Sequence, residues 1–384
     1  MDKVRLGIVG LGNMGAMHAA SIRAGKIRRL ALGAVCDDNA AKLDSFPGIP
    51  GFTSAEAMIA AGVIDAVLIA TPHYAHTTIG VTALAAGLHV LVEKPISVHK
   101  ADCERLIAAH RNERQVFAAM FNQRTDPAYR RIRALVGDGE LGEIRRLNWI
   151  ITDWFRTAAY YASGGWRATW AGEGGGVLLN QCPHNLDLLQ WMFGLPVRVR
   201  AFCHFGRYHD IEVEDDVTAY LEFANGATGV FIASTGEAPG TSRLEVAAEG
   251  GRVVYERDKL RFARNAVPMS EFSRTAPQAF ARPDCADRVV PLSDHGGQHN
   301  EILQNFADAI LDGQPLIAPA REGIRSVELA NAMLMSAWLD RTVELPLDGA
   351  RYARLLRQHA KRSPGPKKLA APTAAGDFAQ SFRQ

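Results

Sequence analysis

Val4-Arg5-Leu6-Gly7-Ile8-Val9 runs directly into Gly10-Leu11-Gly12-Asn13-Met14-Gly15. The first six residues form an apolar run, as expected of a strand covered on both faces. A helical stretch to about Ala24 follows. Glycine at 10, 12 and 15 between a strand and a helix is the dinucleotide pattern. Gly10 permits a tight turn, Gly12 admits backbone to a pyrophosphate, and Gly15 lets helix pack on strand. Asn13 and Met14 open the helix, whose N-terminus faces the phosphates. The glycine spacing alone is weak; its place between a strand and a helix makes it specific. The second strand, Leu30 to Cys36, ends at Asp37. A carboxylate there accepts from the adenosine ribose hydroxyls and repels a 2′-phosphate. With Asp38 beside it and no arginine immediately after, the pattern favours NAD over NADP. Asp37 also suits the role of helix N-cap before Ala40, and both roles can hold together.

Composition narrows the remaining classes. The chain has 384 residues, 47% of them hydrophobic and 22% charged, with a net charge of +2. That is a globular balance, long enough for two domains, and it points to neither nucleic acid nor membrane as a partner. No apolar run is long enough to span a bilayer, and the start does not read as a signal peptide. Cys36, Cys103, Cys182, Cys203 and Cys285 are odd in number and scattered, which suits a reducing cytoplasm. No metal-ligand cluster has a recognisable spacing.

Ile64 to Ala70 reads as the next strand, ending in Thr71-Pro72-His73-Tyr74-Ala75-His76. Thr71 and Pro72 would lie beside the nicotinamide half of the cofactor. His73 and His76 are candidate cofactor contacts, competing with a solvated start to a helix from His76 to Ala86. The strand Val90 to Val92 runs into Glu93-Lys94-Pro95. A lysine at the carboxyl end of a parallel strand sits where open α/β sheets bind ligands. Its ammonium can bond a substrate oxygen or share its proton. A surface lysine after an edge strand is the competing reading. A helix over Lys100 to Arg111 and a strand over Val116 to Met120 complete a doubly wound domain, residues 1–121.

These residues resemble the glucose–fructose oxidoreductase / inositol dehydrogenase / rhizopine-catabolism family, Gfo/Idh/MocA. The match runs through Gly10-x-Gly12-x-x-Gly15, Thr71-Pro72, Glu93-Lys94-Pro95 and Phe121-Asn122-x-Arg124 with Pro127. It continues through Gly139-Glu140-Leu141-Gly142-Glu143-Ile144, Gly174-Gly175-Gly176 and His184-x-x-Asp187, to about Leu347. The implied fold class is α/β. A Rossmann doubly wound parallel sheet is followed by an α/β domain, residues 122–350, on a large open antiparallel sheet. That sheet commonly supports homodimers or homotetramers. Members mostly oxidise or reduce a secondary hydroxyl of a sugar or cyclitol. The resemblance places Asn122 and Arg124 with the substrate site.

In the second domain, Pro127 to Gly137 reads as a helix with Arg130, Arg131 and Arg133 solvated. Ile144 to Phe155 reads as a strand. A loop then gathers Trp154, Arg156, Tyr160, Tyr161, Trp166, Arg167 and Trp170. Indole and phenol rings suit sugar C–H faces, and arginine suits acidic groups. Core packing competes for each ring singly, and a subunit contact for the group. Val177 to Met192 reads as one helix, placing Asn180, His184 and Asp187 on one face. By resemblance His184 takes the hydroxyl proton as hydride leaves carbon. Many members carry Asp where this chain has Asn180, which shifts proton-handling toward Lys94. Cys182 stands where glycine is usual and reads as a small packed residue.

Val197 to Phe205, Val217 to Phe223, Ala227 to Ser234, Arg243 to Ala248 and Arg252 to Tyr255 read as antiparallel strands, with Asn225-Gly226 a hairpin turn. Residues 266–295 lack periodicity and read as a loop. Helices follow near Gln298 to Leu311 and Glu322 to Leu339. Residues 351–384 form an extension, flexible from Lys361, whose Phe378 and Phe382 suggest docking on this or another subunit. The whole reads as an NAD-dependent dehydrogenase of a sugar, glycoside or anhydrosugar, a pyranose oxidised at C3 among the possibilities. Lys94, His184 and Asn180 carry the catalysis. An inositol dehydrogenase, an NAD-retaining redox glycosidase and a non-catalytic NAD-dependent binding protein stay open as alternatives.

Overall fold

A computed structural model of the chain describes residues 2–363. The expectations for the tail, including Phe378 and Phe382, fall outside these residues. Strands β1 (Val4–Val9), β2 (Leu30–Cys36), β3 (Gly51–Phe52), β4 (Ala66–Ile69), β5 (His89–Val92) and β6 (Phe117–Ala119) form one parallel sheet, in the order β3-β2-β1-β4-β5-β6. The apolar run of β1 takes the middle because it can be covered from both sides: Val4, Leu6 and Ile8 are fully buried. Strand order reverses between β1 and β4, which makes the carboxyl ends there a topological switch point. The helix after β4 starts at His73, three residues earlier than its pattern implied. Pro72 occupies the position before it, where a missing N–H costs the helix nothing.

A nine-stranded sheet follows. Its strands are β7 (Ile144–Ile151), β8 (Arg198–Phe205), β9 (Glu214–Glu222), β10 (Thr228–Ser234), β11 (Ser242–Ala248), β12 (Gly251–Glu256), β13 (Lys259–Asn265), β14 (Cys285–Val290) and β15 (Val343–Glu344). Pairing is antiparallel except between β7 and β10. One face is covered. Val199, Leu221, Phe231 and Val246 pack there with Leu135, Leu189, Leu329 and Met333 from the helices Pro127–Gly137, Pro183–Phe193 and Gly323–Leu339. Gly226, at φ +86°, makes the expected β9–β10 hairpin.

Several elements differ from the sequence pattern for physical reasons. Strand β7 stops at Ile151; beyond it Arg156 N–H donates to Thr235 O at 3.0 Å, turning the aromatic loop away from the ladder. Within 266–295 lie the helix Met269–Thr275 and β14, neither with a buried residue, so neither carries an apolar period. The segment after 350 is helical at first: Gly349–Arg362 buries Tyr352 and Leu356 and is capped by Asp348. The helix Gln298–Asp312 folds back, setting Leu303 and Phe306 into the first sheet's core.

Two buried ion pairs join the sheets. Lys100 Nζ donates to Glu328 Oε1 at 2.7 Å and to Leu347 O at 2.9 Å. Arg124, just past β6, donates bidentately to Asp187 at 2.6 and 2.7 Å, and also to Glu322. Burial pushes the Asp187 carboxyl up, and Arg124 pulls it back. Arg124→Met would leave Asp187 buried without its bidentate partner. The expected loss is about 3–5 kcal/mol in urea unfolding, with Arg124→Met/Asp187→Leu less destabilised than the single variant.

Candidate active site

The turn after β1 is built for close approach. Gly10 holds φ +91°, and a side chain there would strike Ala70 O at 2.6 Å. A Cβ on Gly15 would lie 1.8 Å from Gly10 O, so the helix Asn13–Arg23 packs on the turn only with glycine. Gly12 faces open space. The helix begins without a side-chain cap, leaving its first N–H groups for an anion. Asp37 Oδ2 accepts from Leu11 N–H at 2.7 Å and from Lys42 Nζ at 3.0 Å. Burial raises the Asp37 carboxyl, but these donors and Asn39 N–H hold it below the usual range. The cap before Ala40 is Asn39, not Asp37. Asp37 therefore fixes the glycine turn.

Thr71 Oγ1 after β4, Asn122 Oδ1 after β6 and His184 Nδ1 on the helix Pro183–Phe193 are buried polar atoms with no partner among the described residues. Buried polar atoms are satisfied in the large majority of cases, so such a group marks where a ligand bonds. With the open cradle at Gly12, they fit a dinucleotide whose nicotinamide end reaches β5. His76 spans from Pro95 O at 2.8 Å to Thr71 O at 2.9 Å, and His73 Nδ1 lies 3.3 Å from Glu173 O. Burial lowers both imidazoles. These two histidines tie strand ends and domains together and are not solvated.

Glu93 is buried against His18 Nε2 at 2.7 Å. Burial raises its carboxyl, while His18, His299 and Lys94 together hold it below the ordinary value. Next to it, Lys94 Nζ crosses the cleft and donates to the backbone O of Asn180 at 2.8 Å. Burial lowers the lysine, Arg156 and Arg167 add to that, and Glu93 and Glu173 oppose it. His184 presents its edge to Phe121, ring centres 6.3 Å apart. Burial, Lys94 and His299 hold it well below 6.5, so it is neutral near neutral pH.

A family model described as "Oxidoreductase family, NAD-binding Rossmann fold" matches residues 4–121, and the "GFO/IDH/MocA C-terminal domain" matches residues 129–254. The chain belongs to the Gfo/Idh/MocA oxidoreductase family. It is 30% identical over 236 residues to an inositol 2-dehydrogenase of Corynebacterium glutamicum, covering 58% of this chain and 64% of that relative, just under two thirds of its length. It is 26% identical to the inositol 2-dehydrogenase of Rhizobium meliloti, over 89% of this chain and 99% of that one. A solved structure of the WlbA dehydrogenase from Chromobactrium violaceum, in complex with NADH and UDP-GlcNAcA, superposes with TM-score 0.78 at 26% identity. It covers 91% of this chain and 97% of that one. The cofactor of this family member is NAD.

The aromatic loop closes one side of the cleft. Arg156 lies over Trp154 and Tyr160, each at 5.2 Å, and Arg167 over Tyr160 at 4.7 Å and Trp166 at 4.8 Å. Arg167 donates to Tyr160 Oη at 2.9 Å, and Tyr160 donates to Asn180 Oδ1 at 3.2 Å. Two rings of the loop go elsewhere. Trp170 packs against Trp338 at 5.3 Å, and Tyr161 donates to Thr235 Oγ1 at 2.8 Å.

Other expectations need correction. The helix carrying His184 starts at Pro183, so Asn180 sits in a preceding turn and not on its face. Pro183 has no N–H and disfavours helical backbone before it, which ends the pattern there. Asp187 serves Arg124. Arg124 is 1% exposed, and its guanidinium is taken up by Asp187 and Glu322 as an internal clamp. Asn122 donates its amide to Gln298 at 2.7 Å and keeps its oxygen free for a ligand. Arg130 pairs with Glu301, Arg131 with Glu140, and Arg133 stacks on Trp191 at 4.1 Å. The sequence reading missed Glu173 and His18. An acidic residue directly before a glycine run was the available signal for Glu173; His18 carried none, being one apolar-face position of a helix.

Asp37→Ala removes the ribose acceptor and frees Leu11 N–H. Charged hydrogen bonds of this kind carry about 1.5–3 kcal/mol, so NAD affinity should fall about ten- to a hundred-fold in an NADH fluorescence titration. The loss for NADP should be smaller.

Proposed function

We propose that the protein oxidises a secondary hydroxyl of a sugar or cyclitol. The observation carrying this reading is the meeting of Lys94 with the Asn180 turn beside a neutral, partly unpartnered His184. NAD supplies the hydride acceptor. Lys94 sits at the end of β5 to bond the reacting oxygen and ease its alkoxide character. His184, kept uncharged by burial, is ready to accept the hydroxyl proton. Asn180 positions Lys94 through its backbone oxygen. Trp154, Tyr160 and Trp166 offer apolar faces to a pyranose ring, and Arg156 and Arg167 supply donors for its oxygens or for an acidic substituent. That wall favours a pyranose or pyranoside over a bare cyclitol.

The same reading extends to setting and assembly. The cysteines among the described residues are free, which supports a reducing, cytoplasmic location. Phe202 and Tyr220 are 56% and 43% exposed on the outer face of β8 and β9. Such a face supports a homodimer or homotetramer through the second sheet, and light scattering would read its mass. No helix of the described residues is long and apolar enough to cross a membrane.

The test is NADH absorbance with NAD or NADP against a panel of sugars, glycosides and inositols. Lys94→Met and His184→Ala should each lower kcat about 10²- to 10⁴-fold with NAD binding retained. Near-normal turnover in either overturns the assignment. Aglycone release without net NADH would move the reading to a redox glycosidase.

The pH profile follows from the same groups. His184 must be unprotonated to act, and its lowered pKa keeps it so into acid. The acid limb of kcat/KM should lie below pH 6.5. Lys94 must be protonated, and its lowered pKa brings the alkaline limb below pH 10.5.

A further inference from the structure

We infer that Glu173 is a positioning residue that supplies the negative charge Asn180 lacks, sustaining the protonated form of Lys94. This inference rests on the roles proposed above for Lys94 and His184. Glu173 lies directly before Gly174 and is 2% exposed. Its Oε2 accepts from Ala168 N–H at 2.6 Å. Its Oε1 accepts from the Asn180 side-chain amide. The other end of that amide, Oδ1, accepts from Tyr160 Oη at 3.2 Å and Gln181 Nε2 at 3.1 Å. The amide orientation is thereby fixed: nitrogen toward Glu173, oxygen toward the phenol.

This explains why an amide stands at 180. An aspartate there would press one carboxylate against another, and like charges in contact destabilise each other. Acid at 173 and amide at 180 are a matched pair. Because the Lys94 ammonium is already held to the Asn180 backbone oxygen, the two residues keep lysine and carboxylate in one cluster.

The charges around Lys94 are specific. Glu93 and Glu173 favour the ammonium; burial, Arg156 and Arg167 oppose it. The imidazoles of His73, His76 and His184 feel the ammonium from the facing helices. Glu93 is already bonded to His18. Burial holds the Glu173 carboxyl above its ordinary value, and Arg167, Ala168 N–H, the Asn180 amide and Lys94 oppose that rise without cancelling it. Glu214, whose carboxyl receives Gly176 N–H and Leu178 N–H, is the acidic neighbour.

Ala168 holds φ +52°, so Glu173 also braces a strained loop, and a structural role must be separated from the electrostatic one. Glu173→Gln keeps an acceptor for Ala168 N–H while removing the charge. The measurement is a ¹³C-lysine NMR titration of NAD-loaded enzyme, with the Lys94 signal assigned by its loss in Lys94→Met. Removing a nearby opposite charge lowers a lysine pKa by about one to three units. In Glu173→Gln the Lys94 midpoint should therefore fall by about one unit or more. In Glu173→Gln/Asn180→Asp, which exchanges acid and amide, it should return most of the way. Asn180→Asp alone should raise it, and provides the test if Glu173→Gln does not fold. An unmoved midpoint in Glu173→Gln, or no recovery in the exchange variant, overturns the inference. Those outcomes leave the assignment of Lys94 and His184 standing, whereas normal turnover by Lys94→Met removes that assignment whatever the titration gives.

Discussion

The Arg124–Asp187 pair holds the site together. Arg124 follows the last strand of the first sheet, and Asp187 lies on the helix that carries His184. Both side chains are out of water, so their bidentate bond is a rigid strut between the end of the first sheet and the helix Pro183–Phe193. The imidazole is fixed by its helix, and the lysine by its strand. The strut sets the distance between them. A buried pair of this kind is weak as a source of stability and strong as a device for register, because any other alignment strands a charge.

Around that strut the cleft has an uneven charge distribution. Glu93 is matched by His18, while Lys94 is matched by the Asn180 carbonyl and by Glu173 at one remove. His184 has no carboxylate orienting it among the described residues, and its Nδ1 is unpartnered. A neutral imidazole and a lysine bonded to a carbonyl oxygen therefore coexist without neutralising each other. The arginines over Tyr160 add positive potential, which lowers both Lys94 and His73 and suits a substrate rich in oxygen lone pairs.

Much of this was legible in the sequence where local rules decide. The glycine turn, Asp37 at the end of β2 and Lys94 at the end of β5 follow from patterns of strand and turn chemistry. So do the hairpin at Asn225-Gly226 and the helix Pro127–Gly137. Misreadings fell where long-range partners decide. Arg124 has the chemistry of a substrate ligand, and its distance from Asp187 along the chain hid its true partner. Trp170 and Trp166 are alike in sequence terms, yet one packs on Trp338 and the other on His73. Strand β14 has no buried face, so hydrophobic period could not announce it.

Sequence by itself determined the doubly wound domain and its glycine turn. These depend on backbone sterics, apolar period and the chemistry of single side chains. Tertiary structure decided the pairings: Arg124 with Asp187, Glu173 with Asn180, and Lys94 with a carbonyl oxygen. Two of these join segments far apart in the chain, and the third closes a turn of the loop between Glu173 and Asn180. Burial then sets the charge state of each group, which depends on what covers it and not on its neighbours in sequence.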